Sequence, residues 1–565
     1  MSDYLHKLDA AVAELTREGA PFALSSVTIN GVSYRCYASV PENMGGYFRF
    51  MLNHADKEFA VYRDERYTFA ESYQIAAALA RALIDDYGVA PGDRVAILSR
   101  NNPQWMMAFI AVLSIGAVAV PMNAWWTTEE LDYGLRDSGS KVVVADRDRL
   151  QRLLPLQDEL ELSLIAIDDC SALDLPLRQF ADVVAAHAGA EMPEVDVAAD
   201  DHATIMYTSG STGYPKGALS SHRSIISALY SWMLLGVAGK QTAPDSNPAK
   251  FPPSGLLTVP LFHCTGSHTA FLLSLIIGRK LVIMHKWDVQ EALRIIEEER
   301  ITWFTGVPTM SAELQAAAAE SRRDLSSLAE IYGGGAARPP AQVEKLASTF
   351  KKSSSGIGYG LTETNALGTI NSGEIYRARP GSAGRAVPAV TDIAIFDEND
   401  QPLPPGERGE VCMHSPCNVL GYWNKPDATA EAFRNGWFHT GDVGYLDEDG
   451  FLFIVDRIKE IIIRGGENIS CIEVEAALYQ HPAVSEAAVY GVPDERLGEA
   501  VAASVVLREG TSLDEEELRG FLSEHIAGFK IPAHFRFHDG ALPRIATGKI
   551  FKRQLKAELT ERLSA

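Results

Sequence analysis

The sequence has few of the features that mark secreted, zinc-binding or nucleic-acid-binding proteins. Only six of its 565 residues are cysteine, and none of them forms a CxxC pair. Neither a disulfide framework nor a zinc site is therefore indicated, which is typical of a reducing cytoplasm. Lysine and arginine number 51 against 74 aspartates and glutamates, giving a formal net charge of −23. This acidic balance argues against the basic face that nucleic-acid binding needs, and an anionic small molecule would have to be held by local groups.

Long apolar runs are also scarce. Residues 1–20 contain acidic side chains and no apolar core, so no secretory signal is expected. Residues 105–122, WMMAFIAVLSIGAVAVPM, carry no charge and approach the ~20 apolar residues of a membrane span. Gly116 and Pro121 interrupt this run, however, and AVAV is typical of a short buried strand. We therefore expect a buried helix and strand here and no integral membrane segment.

The length and the pattern of the chain predict an α/β protein of two domains. At 565 residues, the chain exceeds what a single hydrophobic core usually covers. Strand-like and helix-like stretches alternate from residue 59 onwards, which predicts helix-covered, mostly parallel sheets. Beyond about residue 380, short strands alternate with Gly and Pro turns, which favours a small barrel. A change of composition near Asp456 divides a large domain, residues 1–455, from a smaller α+β domain, residues 456–565.

The strongest local signal is YTSGSTGYPKG at residues 207–217. Glycines let the backbone approach a ligand closely, and hydroxyl and N–H groups can surround an anion. The lysine near its end supplies a point charge for phosphate. The spacing is not the GxxxxGK[ST] of a Walker-type loop, so a phosphate loop of another kind is predicted. Its candidate ligand-binding residues are Thr208, Ser209, Gly210, Ser211, Thr212, Gly213 and Lys216.

Further motifs follow this loop in a definite order. They are PLFH (260–263), YGLTE (359–363), WFHTGD (437–442), DRIKEIIIRGGENI (456–469) and PRIATGK (543–549). Together with the loop, and over nearly the whole chain, they resemble the adenylate-forming (ANL) superfamily. The resemblance is closest to its acyl-CoA synthetase branch, the fatty-acid and aryl-acid CoA ligases. It implies that a carboxylic acid reacts with ATP to give acyl-AMP and pyrophosphate, and that the thiol of coenzyme A then displaces AMP.

The resemblance also assigns residues to the triphosphate. The phosphate loop would hold the departing pyrophosphate, Glu363 would bind Mg²⁺, and Thr362 would hydrogen-bond the α-phosphate. These assignments suit the chemistry, because a carboxylate that attacks a polyanion needs nearby cations and N–H groups. A single carboxylate is enough for Mg²⁺, which keeps several of its waters.

Adenosine would be bound by a different set of residues. By resemblance, Asp442 holds the ribose hydroxyls and Arg457 is its partner on the ribose side. The backbone at 335–337 offers a flat wall for adenine, and the 359–360 stretch offers a ring for stacking. The candidates for the base are Gly335, Ala336, Ala337, Tyr359 and Gly360.

The small domain would supply the mobile part of the site. Lys549 resembles the catalytic lysine that stabilises charge between the carboxylate and the α-phosphate. Asp456 resembles the hinge about which the small domain rotates between the two steps. The loop Gly465, Gly466 and Glu467 resembles the one that lines the pantetheine path. From the large domain, His263 is expected either near the acid and the thiol path or as a buried histidine at the end of a strand.

The sequence does not name the acid. Candidate lining stretches are 230–233, 306–309 and 333–335, and the small residues of the last favour a medium- or long-chain fatty acid or a bulky hydrophobic acid. Three alternatives stay open: an acyl-AMP ligase that loads a carrier protein, an amino-acid adenylation domain, and a non-catalytic protein that binds acyl-nucleotides or lipids. The expected partners are the acid, ATP and coenzyme A; either a monomer or a homodimer is compatible with the sequence.

Overall fold

A computed structural model describes residues 2–173, 176–208, 214–242, 250–465, 467–545 and 548–564. The helices of these residues are α1 (Ser2–Thr16), α2 (Met44–Phe48), α3 (Phe69–Asp85), α4 (Pro103–Ser114), α5 (Thr128–Ser138), α6 (Arg147–Leu153), α7 (Gln157–Leu160), α8 (Phe180–Ala186), α9 (His222–Thr242), α10 (Leu273–Ile277), α11 (Val289–Glu298), α12 (Pro308–Glu320), α13 (Pro340–Thr349), α14 (Gly373–Ala378), α15 (Pro426–Ala432), α16 (Cys471–Leu478), α17 (Glu515–Ser523) and α18 (Lys552–Ser564).

The strands are β1 (Leu24–Ile29), β2 (Val32–Tyr37), β3 (Glu58–Tyr62), β4 (Glu65–Thr68), β5 (Arg94–Leu98), β6 (Val118–Pro121), β7 (Val142–Ala145), β8 (Ser163–Ala166), β9 (Leu177–Gln179), β10 (His202–Thr208), β11 (Lys216–Ser221), β12 (Ser254–Leu257), β13 (Lys280–Ile283), β14 (Trp303–Gly306), β15 (Glu330–Gly334), β16 (Ser354–Tyr359), β17 (Thr369–Ser372), β18 (Arg385–Ala386), β19 (Asp392–Phe396), β20 (Gly409–His414), β21 (Gly421–Tyr422), β22 (Phe433–Arg434), β23 (Trp437–Leu446), β24 (Leu452–Arg457), β25 (Ile462–Arg464), β26 (Glu467–Ile469), β27 (Val484–Asp494), β28 (Gly498–Leu507) and β29 (His534–His538).

Two large sheets form the body of the protein. One has eight strands in the order β21-β11-β10-β6-β5-β7-β8-β9, and the other has nine in the order β18-β17-β16-β15-β14-β12-β13-β3-β4. The central strands of each sheet pair in parallel, whereas antiparallel strands lie at the edges. This arrangement confirms the predicted helix-covered, mostly parallel sheets of an α/β protein.

The largest hydrophobic cluster surrounds helix α4. Every residue of α4 except Gln104 is buried, and the helix begins at Pro103 after Asn102, whose side chain accepts a hydrogen bond from the N–H of Trp105 at 2.7 Å. Strand β6 follows directly. The uncharged run at 105–122 is therefore a buried helix–strand pair, as predicted. Among the described residues, no helix combines the length and the apolar composition that crossing a membrane requires.

Two smaller sheets complete the fold. Residues 392–457, where a small barrel is expected, form a five-stranded antiparallel sheet in which β24 pairs with β23. The second sheet, β26-β25-β28-β27 with β29 beside β28, packs with α16, α17 and α18 in the C-terminal part of the chain. The last strand of the first sheet, β24, ends at Arg457, so it crosses the boundary that the sequence predicts at residue 456.

Strand β11, residues 216–221, pairs with β10 as a hairpin, and helix α9 follows it from His222. One local expectation is wrong. The strand expected to end at His263 ends instead at Leu257, and His263 lies in the turn before a π-helix, Thr265–Leu272. Apolar residues run on through 259–262, and a buried strand and a buried turn give the same pattern there.

Candidate functional site

The predicted phosphate loop joins the two strands of the β10–β11 hairpin. Ser209, Gly210, Ser211, Thr212 and Gly213 lie outside the described residues. At the base of the loop, the hydroxyl of Thr208 donates to the carbonyl of Lys216 at 3.3 Å. The hairpin thus presents Lys216 at the end of a strand of the large eight-stranded sheet.

Glu363 lies beside Lys216 and is buried. The hydroxyl of Tyr422 donates to Glu363 Oε1 at 2.8 Å, and Lys216 Nζ lies 4.7 Å from the centroid of the Tyr422 ring. Burial raises the pKa of Glu363, although the hydrogen bond from Tyr422 and the charges of Arg457 and Lys216 oppose the shift. A lone buried carboxylate fits Mg²⁺, which would neutralise developing charge on the phosphates.

A second buried carboxylate, Asp442, lies where the ribose is expected. Tyr359 donates its hydroxyl to Asp442 Oδ2 at 2.6 Å, and Arg457 Nε donates to Oδ1 at 3.0 Å. Asp442 is only 4% exposed, so both of its oxygens are oriented by these two partners. Burial, followed by the adjacent Asp442 charge, holds the pKa of Tyr359 well above its usual range, and its hydroxyl therefore remains a donor. Tyr359 thus hydrogen-bonds the Asp442 carboxylate, in addition to offering the ring that was predicted to stack on adenine.

Lys549 comes from the small domain and reaches the glycine of the adenine wall. A Cβ placed on Gly335 would lie 3.2 Å from Lys549 Cε and 3.8 Å from its Nζ. Gly335 also has a φ of +78°, which favours glycine, and the wall at 335–337 is exposed. Burial, and then the nearby charge of Arg457, lowers the pKa of Lys549. The two domains therefore meet with Lys549 over the predicted nucleotide site.

The turn that carries Lys549 is fixed by an ion pair. Arg544 donates to the carbonyl of Gly548 at 2.7 Å and to Glu486 Oε1 at 2.6 Å. The N–H of Ile545 closes the turn on the carbonyl of Lys549 at 2.9 Å. The motif PRIATGK contains Arg544, but nothing in the sequence singles this residue out.

His263 lies on the large-domain side of Lys549. Burial, and then the Lys549 charge, lowers the pKa of His263 to about 3, so its ring is neutral at physiological pH. Its Nε2 is buried and has no hydrogen-bond partner among the described residues. Nearby, Cys264 Sγ is 4.0 Å from the hydroxyl of Thr362. His263 is thus a neutral, buried group near Lys549 whose Nε2 has no hydrogen-bond partner among the described residues.

The predicted hinge residue, Asp456, is tied to the small domain. Its Oδ1 accepts from the N–H of Arg457 at 2.8 Å, and its Oδ2 accepts from the N–H of Cys471 at the start of α16. Ser470 also donates its hydroxyl to the carbonyl of Val455 at 2.7 Å. Val455 and Asp456, on the two sides of the predicted boundary, are therefore both hydrogen-bonded to the start of helix α16.

Two further predicted glycines, Gly465 and Gly360, are accounted for by their local packing. Gly465 lies in the β25–β26 turn, where a Cβ would approach Leu497 within 2.9 Å, and Gly466 lies outside the described residues. Gly360 is required by packing, because a Cβ there would lie 2.6 Å from the carbonyl oxygen of Ala366. The structure thus groups Lys216, Thr362, Glu363, Tyr359, Asp442, Arg457, His263, Gly335 and Lys549. The role of the 465–467 loop along the pantetheine path stays a prediction.

Comparison with known proteins agrees with this arrangement. The family of AMP-binding enzymes matches residues 48–423, and the AMP-binding enzyme C-terminal domain matches residues 473–549. The chain belongs to the AMP-binding enzymes. Residues 424–472 lie between the two matches, so the boundary at 455/456 stays a prediction.

The relatives place the chain in the acyl-CoA ligase branch of this family. It is 37% identical to a feruloyl-CoA synthase from Amycolatopsis sp over 86% of this chain and 93% of that protein. It is 34% identical to a long-chain-fatty-acid–CoA ligase of Bacillus subtilis (strain 168), over 90% and 92% of the two chains.

Solved structures show the same fold. A Mycobacterium tuberculosis fatty acyl CoA synthetase has a TM-score of 0.70 and 32% identity, covering 92% of this chain and 99% of that one. An anthranilate CoA ligase in complex with anthranoyl-AMP has a TM-score of 0.83 and 25% identity, covering 93% and 99%. The protein is an AMP-forming acid–thiol ligase, with ATP and coenzyme A as cosubstrates and Mg²⁺ as its metal.

Proposed function

We propose that this ligase activates a medium- or long-chain fatty acid or a bulky hydrophobic acid, using the grouped residues in the roles predicted above. The observation that carries the proposal is the position of Lys549, which lies between the Asp442–Arg457 pair and an apolar turn of the large domain. A carboxylate held at Lys549 would extend its remaining atoms towards that turn.

The turn next to Lys549 is lined by apolar side chains. A Cβ on Gly548 would lie 3.2 Å from Val307 Cγ2 and 4.0 Å from the terminal methyl of Met310. Met310 also packs against Gly306, at the end of β14, where a Cβ would lie 3.2 Å from its sulfur. Apolar and adaptable walls of this kind favour an apolar acyl group over a small polar acid.

The relatives support the same acid class without fixing it. Feruloyl-CoA synthase and long-chain-fatty-acid–CoA ligase take their names from large, largely apolar acids. An oxalate–CoA ligase of Arabidopsis thaliana, however, is 32% identical over 88% of this chain. The choice of a hydrophobic acid therefore rests on Val307 and Met310 and not on the family.

The reaction would proceed in two steps at one site. An oxygen of the acid's carboxylate attacks the α-phosphorus of ATP, and the bond to the β-phosphate breaks as pyrophosphate leaves. Lys549 would stabilise the charge that grows on the transferring group, since a cation in a water-poor site acts strongly there. The thiolate sulfur of coenzyme A then attacks the acyl carbon, and AMP leaves with the carboxylate oxygen that it gained.

The location proposed for this enzyme is the cytoplasm. All six cysteines are free and buried, which agrees with a reducing compartment.

A panel of acids tests the proposal. The protein is incubated with ATP, Mg²⁺ and a mixture of short-chain, long-chain, aryl and dicarboxylic acids, with and without coenzyme A, and the products are identified by mass spectrometry. We expect acyl-CoA from one hydrophobic class. Selective use of oxalate or acetate would overturn the acid class. Acyl-AMP that never passes to coenzyme A would indicate a carrier-protein acceptor, and no pyrophosphate release with any acid would indicate a non-catalytic protein.

A further inference from the structure

One buried amide, that of Asn365, connects four segments of the large domain. Asn365 is 1% exposed and follows the short turn Thr362–Thr364. Its Nδ2 donates to the carbonyl of Cys417 at 2.8 Å and to the hydroxyl of Ser224 at 3.3 Å. Its Oδ1 accepts from the hydroxyl of Ser220 at 2.9 Å and lies 3.0 Å from His268 Nε2.

These contacts fix the protonation of His268. Because Asn365 Nδ2 must face the Cys417 carbonyl, its Oδ1 faces His268, and His268 Nε2 carries the hydrogen. His268 is 1% exposed, and burial lowers its pKa to about 4. The neutral ring then accepts at Nδ1 from the hydroxyl of Ser267, 2.9 Å away. All four hydrogen-bonding positions of the Asn365 amide are satisfied without any charge.

Three of the four connected segments carry a residue that belongs to the site or contacts Glu363. Ser220 lies on β11, four positions after Lys216, and the π-helix with His268 follows His263 directly. Beyond Cys417, the N–H of Val419 donates to the carbonyl of Glu363 at 2.8 Å. Tyr422, three residues further on, holds the carboxylate of Glu363.

The backbone of Asn365 also restricts this position. Its φ of +51° lies in the left-handed region, which asparagine tolerates better than most residues. The position therefore requires both an unusual backbone conformation and an amide with two donors and two acceptors. Asparagine meets both requirements. A residue that only filled space at this position would need neither the left-handed backbone nor the amide.

We propose that Asn365, together with His268, is a positioning residue that sets the Glu363 carboxylate relative to Lys216 and thereby the affinity for Mg²⁺–ATP. This proposal rests on the assignment of Glu363 as the metal ligand in the proposed function. Groups that orient a metal ligand commonly change metal affinity or activity by about 10–100-fold when they are removed.

The first test compares two buried asparagines. Asn365→Gly keeps the left-handed backbone and removes the amide. Asn371→Gly is the control, because Asn371 is also buried and its amide donates to two carbonyls, those of Arg379 and Ser382, at 3.0 and 3.1 Å. Pyrophosphate release is measured against Mg²⁺ concentration at fixed ATP, and against acid concentration.

For Asn365→Gly we expect the half-saturating Mg²⁺ concentration to rise by about tenfold or more, with the KM for the acid changed less than about twofold. Asn371→Gly should lose thermal stability with no change in Mg²⁺ half-saturation. An unchanged Mg²⁺ half-saturation in Asn365→Gly, or equal changes in both variants, would overturn the proposal. A wild-type protein that releases no pyrophosphate would instead refute the proposed function.

The second test needs only His268 and applies even where Asn365→Gly does not fold. Glutamine places an N–H close to the position of His268 Nε2, whereas leucine does not. We expect His268→Gln to keep the wild-type Mg²⁺ half-saturation and His268→Leu to raise it severalfold. Equal behaviour of the two variants would show that the hydrogen bond to Asn365 does not act on the metal site.

Discussion

The two domains hold their parts of the site in different ways. In the large domain, Glu363 takes its hydrogen bond from the neutral hydroxyl of Tyr422, and the neutral amide of Asn365 fixes the turn behind it. In the small domain, the Lys549 turn is held by the ion pair of Arg544 with Glu486. Beside the predicted boundary, Arg457 and Asp442 are cross-strand partners on β24 and β23 and also form an ion pair.

This difference suits the predicted rotation of the small domain between the two steps. A fully satisfied neutral network in a buried core keeps one geometry, because any other arrangement would leave buried polar groups unpaired. Partly exposed charges exchange partners at lower cost, since water and other charges can replace a lost partner. The Arg457 side chain is 50% exposed in its pair with Asp442, so water can replace this contact at lower cost than a bond of the buried network.

The largest expected effect on activity is that of a substitution at Lys549, in the small domain. Lys549→Ala should lower acyl-AMP formation by about 10²–10³-fold, because the transition state loses its nearest cation. Formation of acyl-CoA from supplied acyl-AMP should remain near the wild-type rate. Both half-reactions are followed separately by mass spectrometry.

The control for this prediction is Lys556→Ala. Lys556 lies on the neighbouring helix α18 and pairs with Glu499 at 3.4 Å on the surface, so both half-reactions should be unaffected. If Lys549→Ala slowed both half-reactions equally, Lys549 would not belong to the first step alone.

The next largest effect on activity is expected from a substitution at Glu363, in the large domain. Glu363→Gln keeps the acceptor for Tyr422 but removes the charge that would bind Mg²⁺, so acyl-AMP formation should fall by about 10²-fold. Because burial raises the pKa of Glu363, the stability that this group contributes is present at low pH and is lost as pH rises through that pKa. In the absence of ligands, the variant should therefore melt at or above the wild-type temperature at about pH 8, and this advantage should shrink towards about pH 5.

Calorimetry of the two proteins across this pH range checks the stability. A variant that is less stable than wild type at the alkaline end would mean that the Glu363 carboxylate is a structural anchor and not a metal ligand.

A smaller and more selective effect is expected at the hinge. Asp456→Pro removes a backbone N–H and fixes φ between the two domains, so one half-reaction should slow by about tenfold or more while the other is largely kept. Rates from acid plus ATP and from supplied acyl-AMP are compared. Equal slowing of both would argue against a hinge at this residue.

The smallest effect is expected from the ion pair that supports Lys549. Arg544→Ala should lower the rate of acyl-AMP formation by about five- to tenfold, because the turn is less well oriented, while the KM for ATP changes little. Arg536→Ala is the matched control, since Arg536 pairs with Glu558 at 2.6 Å in the same domain and away from the turn. Should the two variants behave alike, the Arg544 ion pair would contribute only stability.

Much of the fold and of the grouped residues could be predicted from the sequence. The helix–strand pair at 105–122 followed from the absence of charge and from its two interruptions. Glu363, Asp442 and Lys549 stand in contiguous motifs, so each of them was found without knowledge of its neighbours. The resemblance to a family supplied their roles.

The residues that orient these side chains were not predicted. Tyr422 lies 59 positions from Glu363, and Asn365 contacts residues up to 145 positions away from it, so no local pattern connects them. His263 was expected at a strand end because apolar residues continue past Leu257, where the chain leaves the sheet. Tyr422 stands in the stretch GYW and Asn365 follows the motif YGLTE closely, so both could have been noticed in the sequence. Only the fold shows which residues they contact.

Transfer of labelled oxygen tests directly whether a carboxylate oxygen of the acid attacks the α-phosphorus of ATP. An acid that the protein accepts is prepared with ¹⁸O in its carboxylate and is converted with ATP, Mg²⁺ and coenzyme A. We predict that each AMP released carries one ¹⁸O and that pyrophosphate carries none. Label in inorganic phosphate together with ADP, or AMP free of label, would contradict attack at the α-phosphorus.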